Sequence, residues 1–73
     1  MTTVNPDEEE IQAIVLVVIP QYHQAKIQTA DGRQFSITRR TAGVHFVSLR
    51  EGQRLMCTVT RRLPRVLLAR AID

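Results

Sequence analysis

The chain has 73 residues, of which ten are basic and seven acidic, for a formal net charge of +3 at pH 7. A chain of this length makes one small domain, and its single cysteine, Cys57, excludes an internal disulfide. A lone thiol suits a reducing compartment, and His23, His45 and Cys57 lack the spacing of a zinc site.

The charge is distributed unevenly along the chain. Residues 1–10 contain four acidic and no basic residues, a charge of −4, whereas residues 11–73 contain ten basic and three acidic residues, a charge of +7. Nine of the ten bases are arginine, whose planar guanidinium matches phosphate geometry and stacks on bases. The basic body indicates a polyanionic partner, and the alternative is a solvated arginine-rich surface. We expect a flexible acidic tail over residues 1–10 and one barrel domain over residues 11–73.

The first predicted element is a strand over residues 11–19, which is dense in β-branched residues and ends at Pro20. Its apolar part, residues 13–19, has apolar side chains on both faces, so we expect both faces to be covered, as in a closed barrel. This apolar part has seven residues, whereas a membrane-spanning helix needs about 20. The acidic residues before the strand stand where a signal peptide would carry positive charge. We therefore expect a cytoplasmic protein with no membrane partner.

Residues 23–40 predict a β-hairpin around Asp31 and Gly32. Apolar and polar residues alternate on both sides of this turn, so Ile27 should lie opposite Phe35. A two-residue loop would mix the faces, whereas a three-residue loop ending at Gly32 keeps them separate, with Gly32 left-handed in a type I turn plus bulge. The outer face of the hairpin is expected to carry Gln24, Lys26, Gln28, Gln34, Ser36, Thr38 and Arg40.

The rest of the chain predicts further short strands separated by glycines. Residues 44–47 predict a short strand, with Phe46 packed at the core or rim and His45 as a candidate binding residue. Residues 53–60 alternate apolar and polar side chains, which predicts a strand with Leu55, Cys57 and Val59 facing inward, and residues 65–72 predict the last strand. About five short strands without a helix predict an all-β protein, a small five-stranded OB-fold-like Greek-key barrel; a small SH3-like barrel is the alternative.

Catalytic chemistry has little support in the sequence. Asp31 and Glu51 lie in separate predicted turns, with no carboxylate pair implied. Ser36 and Ser48 lack the glycines of a nucleophile elbow, and Cys57 lies on a predicted inner face. We expect a binding module that is not an enzyme and needs no cofactor or metal.

Several segments resemble known families. Residues 8–16, "EEEIQAIVL", with Pro20 after them and residues 64–70, "PRVLLAR", near the end, resemble bacterial translation initiation factor 1. Residues 44–46, "VHF", and residues 49–55, "LREGQRL", are similar to cold-shock domains. Both families are OB-folds that bind RNA or single-stranded nucleic acid, so the resemblance implies that fold and that class of ligand.

The chain differs from both families in its basic and aromatic motifs. The cold-shock run Lys-Gly-Phe-Gly-Phe-Ile is absent, and residues 39–43, "RRTAG", replace the basic loop of the initiation factor. Stacking on an aromatic ring contributes about 1–3 kcal/mol per base, so we expect arginine contacts to phosphate to dominate instead. The candidate nucleic-acid-binding residues are Tyr22, His23, Lys26, Arg33, Arg39, Arg40, His45, Arg61, Arg62 and Arg65.

Two functions are compatible with these patterns. The first is an OB module that binds RNA or single-stranded nucleic acid in translation or RNA metabolism, with ribosomal RNA as one expected partner. The alternative is a small protein-interaction regulator that docks on a larger machine such as RNA polymerase or the ribosome. The acidic tail is a candidate autoinhibitor that folds back over the basic face.

Overall fold

A computed structural model of the chain describes residues 7–61 and 65–72. Five antiparallel strands form a strongly curled half-barrel, which confirms the predicted all-β class. Among the described residues, no helix is long or apolar enough to cross a membrane. The elements are β1 Glu8–Ile19, a 3-10 helix Pro20–Tyr22, β2 Gln24–Thr29, β3 Gln34–Thr38, a 3-10 helix Phe46–Ser48, β4 Arg54–Thr60 and β5 Arg65–Ala71.

The strands follow the order β3-β2-β1-β4-β5 in one sheet. The first half of β1 pairs with β4, and its second half pairs with β2. A register shift between Val15 and Val17 marks a bulge in β1. Because a bulge bends its strand, β1 bends where it passes from one partner to the other. The sheet curls until an isolated parallel bridge joins Ala42, after β3, to Leu68 of β5. This order gives the predicted OB-fold-like barrel.

The β2–β3 hairpin has the predicted register. Ile27 pairs with Phe35, and Gly32 adopts φ 91°. The amide of Gly32 donates to the carbonyl of Thr29 at 2.9 Å, and the amide of Thr29 donates to the carbonyl of Arg33 at 2.8 Å. These bonds close a three-residue loop, which is the loop length that keeps the apolar and polar faces of the hairpin separate.

The inner faces of the strands share one hydrophobic core. Leu55, Cys57 and Val59 of β4 face inward as predicted, and each is fully buried. They pack with residues of the other strands and of the connection before β4: Ala13, Val15, Ala25, Ile27, Phe35, Ile37, Phe46, Leu49, Val66 and Ala69.

The predicted boundary of the acidic tail, at residue 10, does not hold. β1 begins at Glu8, and three glutamates pair with the end of β4: Glu8 with Thr60, Glu9 with Val59 and Glu10 with Thr58. An acidic run has a low strand propensity, but β4 supplies backbone partners that the local sequence does not reveal. Residues 1–6 lie outside the described part of the chain.

The predicted strand over residues 44–47 is wrong. Gly43, at φ 91°, turns the chain away from β5, and Phe46–Ser48 forms a 3-10 helix. Phe46 is 9% exposed and packs into the core, with its ring centroid 6.2 Å from that of His23. The apolar pattern indicated burial correctly, but it belongs to a connection that packs on the core rather than to a strand.

The prediction that both faces of β1 are covered is also wrong. Ile14 and Leu16 are each 42% exposed and Val17 is 37% exposed, all on the outer face. A single curled sheet covers only its concave side, so the outer face of β1 faces solvent in the described residues.

Candidate nucleic-acid interface

Arg39 and Arg40 occupy the corner of a tight turn after β3. The amide of Thr41 donates to the carbonyl of Thr38 at 3.0 Å. The two threonine hydroxyls hold the turn further, since Thr41 Oγ1 accepts from the amide of Thr38 at 3.1 Å and Thr38 Oγ1 accepts from the amide of Arg40 at 3.2 Å. The sequence Thr-Arg-Arg-Thr therefore fixes the backbone of both arginines while their side chains stay exposed.

A groove of about 340 Å³ lies beside this turn, between β3 and β5. Arg40 comes from the turn after β3 and Arg65 from the start of β5, and the curl of the sheet brings them to the same groove. The other lining residues are Ser36, Thr38, Thr41, Val66 and Leu67. Guanidinium and hydroxyl groups both donate hydrogen bonds to phosphate oxygens, so the groove offers the donors that a phosphate needs.

A second concavity, of about 250 Å³, adjoins the first and shares Thr38 and Arg40 with it. Its remaining lining residues are Tyr22, His23 and Arg39. The register that pairs Ile27 with Phe35 would place His23 opposite Arg39 if it continued. The strand ladder ends one pair earlier, at Gln24 and Thr38, but both residues line this concavity. We name the combined surface the arginine groove: Tyr22, His23, Ser36, Thr38, Arg39, Arg40, Thr41, Arg65, Val66 and Leu67.

The cations of this surface have no carboxylate partner among the described residues. Lys26 lies at its edge, exposed on β2 and paired in register with Ser36 of β3. Within the described residues, no ion pair joins Lys26, Arg39, Arg40 or Arg65 to a carboxylate. Unpaired cations on one surface raise the local positive potential and attract polyanions.

Arg33 has different surroundings from those predicted. Its Nε donates to Asp31 Oδ2 at 2.8 Å and its Nη2 donates to Glu9 Oε1 at 2.5 Å. The hydrogen bond to Glu9, with the charge of Asp31, raises the pKa of Arg33. The hydrogen bond from the Thr29 hydroxyl is the main cause that lowers the pKa of Asp31, and Arg33 lowers it further. Arg33 is therefore a member of an ion-pair cluster and does not line the arginine groove.

The other candidates lie away from the arginine groove or outside the described residues. Arg61 is 61% exposed, and its Nη2 lies 3.6 Å from Glu9 Oε2. His45 is exposed and precedes the second 3-10 helix, and it lines neither concavity. Arg62 lies outside the described residues. The structure thus brings together the candidates Tyr22, His23, Lys26, Arg39, Arg40 and Arg65.

Sequence reasoning missed Thr41, Val66 and Leu67 as lining residues. The Thr-x-x-Thr spacing around the two arginines was a usable signal for Thr41, because hydroxyls often close tight turns. Nothing local links the last strand to β3, so the two aliphatic residues follow only from the curl of the sheet.

The described residues offer little for metal or covalent chemistry. In residues 7–61 and 65–72, no group of three or more His, Cys, Asp or Glu side chains could hold a metal ion. Cys57 is fully buried, and burial raises its pKa to about 11. Such a thiol is protonated at neutral pH and is a poor nucleophile.

Comparisons with known proteins give no further assignment. A scan against protein-family models, a search of curated proteins and a search of solved structures find no match to this chain. The residues of the arginine groove and their geometry are therefore the grounds on which a function can be argued.

Proposed function

We propose that this domain binds RNA or another single-stranded nucleic acid through the arginine groove, mainly by contacts to the phosphate backbone. The observation that carries the proposal is the convergence of Arg40 and Arg65 on one groove with three hydroxyl side chains. Guanidinium groups bind phosphate with paired, charge-assisted hydrogen bonds, and hydroxyls add neutral donors without changing the charge. Arg39 and Lys26 extend the same positive surface.

The aromatic residues favour backbone contacts over base stacking. Tyr22 is 73% exposed and offers one ring to a base, whereas Phe35 and Phe46 are 6% and 9% exposed. Most of the binding free energy is then electrostatic, sequence-tolerant and sensitive to salt. We place this activity in the cytoplasm, in translation or RNA metabolism, because the sequence resembles initiation factor 1 and cold-shock domains and its one described thiol is buried and reduced.

A salt titration tests the proposal. Affinity for a short fluorescein-labelled single-stranded RNA is measured by fluorescence anisotropy between about 50 and 200 mM salt. If Lys26, Arg39, Arg40 and Arg65 each neutralise one phosphate, the slope of log K against log salt should be about −3, at roughly −0.7 per phosphate. Absence of binding at the lowest salt, or an affinity independent of salt, would overturn the proposal.

Single arginine variants separate the groove from net charge. R40Q and R65Q should each reduce the salt slope by about 0.7 and weaken binding severalfold. Two matched controls remove the same charge elsewhere: R50Q, from an exposed residue outside the groove lining, and R33Q, from the ion-pair cluster. Both controls should bind RNA within about twofold of the wild type. Equal losses in all four variants would mean that total charge, not the groove, governs binding.

A further inference from the structure

The outer face of β1 carries a stripe of aliphatic side chains that the arginine groove does not include. Ile14, Leu16 and Val17 are 42%, 42% and 37% exposed, while Val15 and Ala13 between and before them are buried. The bulge between Val15 and Val17 leaves two consecutive side chains, Leu16 and Val17, both exposed. We name Ile14, Leu16 and Val17 the β1 stripe.

A shallow groove of about 320 Å³ adjoins the β1 stripe and includes Ile14. Its other lining residues are Gln12, Ala13, Gln28, Thr29, Ala30 and Arg54. The lining contains aliphatic and amide side chains, one threonine hydroxyl and one cation, and it contains no aromatic ring. The stripe therefore has a concave site beside it in which a partner side chain can be enclosed.

Cations flank the β1 stripe on both neighbouring strands. Lys26 of β2 pairs in register with Val17, and Arg54 of β4 pairs with Ile14; both cations are exposed. The carboxylates on the same strand, Glu8 and Glu10, lie nearer its beginning, beyond Gln12. The aliphatic part of this face thus has positive flanks, and charge complementarity favours a partner with acidic residues beside its apolar ones.

We propose that the β1 stripe and its groove dock an acidic, aliphatic segment of a partner protein. Aliphatic side chains of the segment cover the stripe, and its carboxylates lie near Lys26 and Arg54. A protein segment fits better than a nucleic acid, because exposed aliphatic groups gain free energy by packing against other aliphatic groups, whereas nucleobases gain most from aromatic rings and guanidinium planes. A patch of three side chains makes a small interface, so the binding is weak and reversible.

A second copy of this chain fits the stripe less well. Stacking the stripe on itself about a two-fold axis would bring the flanking cations of both copies together, and like charges across an interface oppose binding. The proposal does not rest on nucleic-acid binding, because Ile14, Leu16, Val17 and Arg54 do not line the arginine groove. Lys26 lies at the edge of both surfaces.

A displayed library of random peptides provides the probe. Selection on the wild-type domain should enrich peptides that combine acidic and aliphatic residues. In fluorescence anisotropy with the synthesised peptides, the double variant I14Q/L16Q should bind about tenfold more weakly than the wild type. R54E should also weaken binding, and it changes no apolar side chain. V47Q is the matched control, because Val47 is 91% exposed and lies outside the stripe. V47Q should bind the peptides as tightly as the wild type does. No acidic-aliphatic enrichment, or unchanged binding by both I14Q/L16Q and R54E, would overturn the proposal.

Two further measurements distinguish the other occupants. I14Q/L16Q should bind the labelled RNA within about twofold of the wild type, whereas R40Q should lose RNA affinity and keep peptide affinity. A loss of RNA affinity in I14Q/L16Q would assign the stripe to the nucleic-acid interface and overturn the proposal. Concentration-dependent sedimentation that disappears in I14Q/L16Q would identify a second copy as the occupant and overturn it as well.

Discussion

Two arginines of this chain illustrate how neighbouring carboxylates decide what a side chain can bind. Arg33 donates to Asp31 and Glu9, whereas Arg40 has no carboxylate partner among the described residues. An ion-paired guanidinium binds phosphate only if it gives up bonds that it already has, and an unpaired one does not incur that cost. A count of arginines therefore overstates the number of phosphate contacts that this surface can make.

Cys57 provides a prediction at the residue scale. Because the thiol is buried and its pKa is raised to about 11, almost none of it is thiolate near neutral pH in the folded state. We expect Ellman's reagent to react with the folded protein much more slowly than with the protein unfolded in guanidinium chloride. Equal rates in the two states would contradict the burial of this side chain in the core.

At the scale of elements, the contact between β5 and the connection after β3 depends on a close backbone approach. The amide of Ala69 donates to the carbonyl of Ala42 at 3.0 Å. Next to this bond, a Cβ built on Gly43 would overlap the carbonyl oxygen of Ala69 and lie 2.7 Å from Leu68 Cδ1. Glycine is required here both for its φ of 91° and for the space that it leaves to β5.

The substitution G43A should destabilise the fold more than G52A. Both positions have a positive φ, so each variant incurs left-handed strain of about 1–2 kcal/mol. Only G43A adds an overlap with the backbone of β5, which should cost about 1–3 kcal/mol more, because Gly52 has no atom within 4 Å of an added Cβ. Urea denaturation measures the free energy of unfolding of both variants. Similar losses would mean that β5 moves away without cost.

The elements that the sequence predicted well are those whose causes are local. Gly32 and the alternation around it determine the β2–β3 register, because turn type and side-chain period act over a few residues. The pairing of Glu8–Glu10 with β4, the bond from Arg33 to Glu9 and the meeting of Arg40 with Arg65 all join distant parts of the chain. The sequence identified Arg39, Arg40 and Arg65 as candidates, but their common groove exists only because the sheet curls.

At the scale of the whole molecule, the acidic segment is part of the barrel. Glu8–Glu10 pair with β4, and Glu9 also accepts from Arg33 and lies 3.6 Å from Arg61. Moving this segment onto the arginine groove would break that pairing. The fold-back of an acidic tail over the basic face would therefore have to overcome the stability of the first part of β1.

Truncation from residue 1 tests whether the acidic segment belongs to the barrel or folds back over the basic face. Deleting residues 1–10 removes three cross-strand pairs, which contribute about 0.2–1 kcal/mol each, and should lower the melting temperature by several degrees. Deleting residues 1–6 is the control, because it leaves β1 intact, and it should melt within about 1–2 °C of the full chain. Strong tightening of RNA binding by the longer deletion, with no loss of stability, would instead support the fold-back.

The division of β1 between β4 and β2 has a consequence for how the chain emerges during synthesis. β2 follows β1 after four residues and pairs with its apolar second half, whereas β4, the partner of its first half, ends only at Thr60. The first half of β1 therefore lacks its partner until most of the described chain is made. An unpaired strand edge is prone to aggregate, and charged residues along it oppose that association. The charged residues within β1 are Glu8, Glu9 and Glu10, and all three lie in the half that waits for β4. We expect their charge to oppose association of the nascent strand before they join the finished barrel.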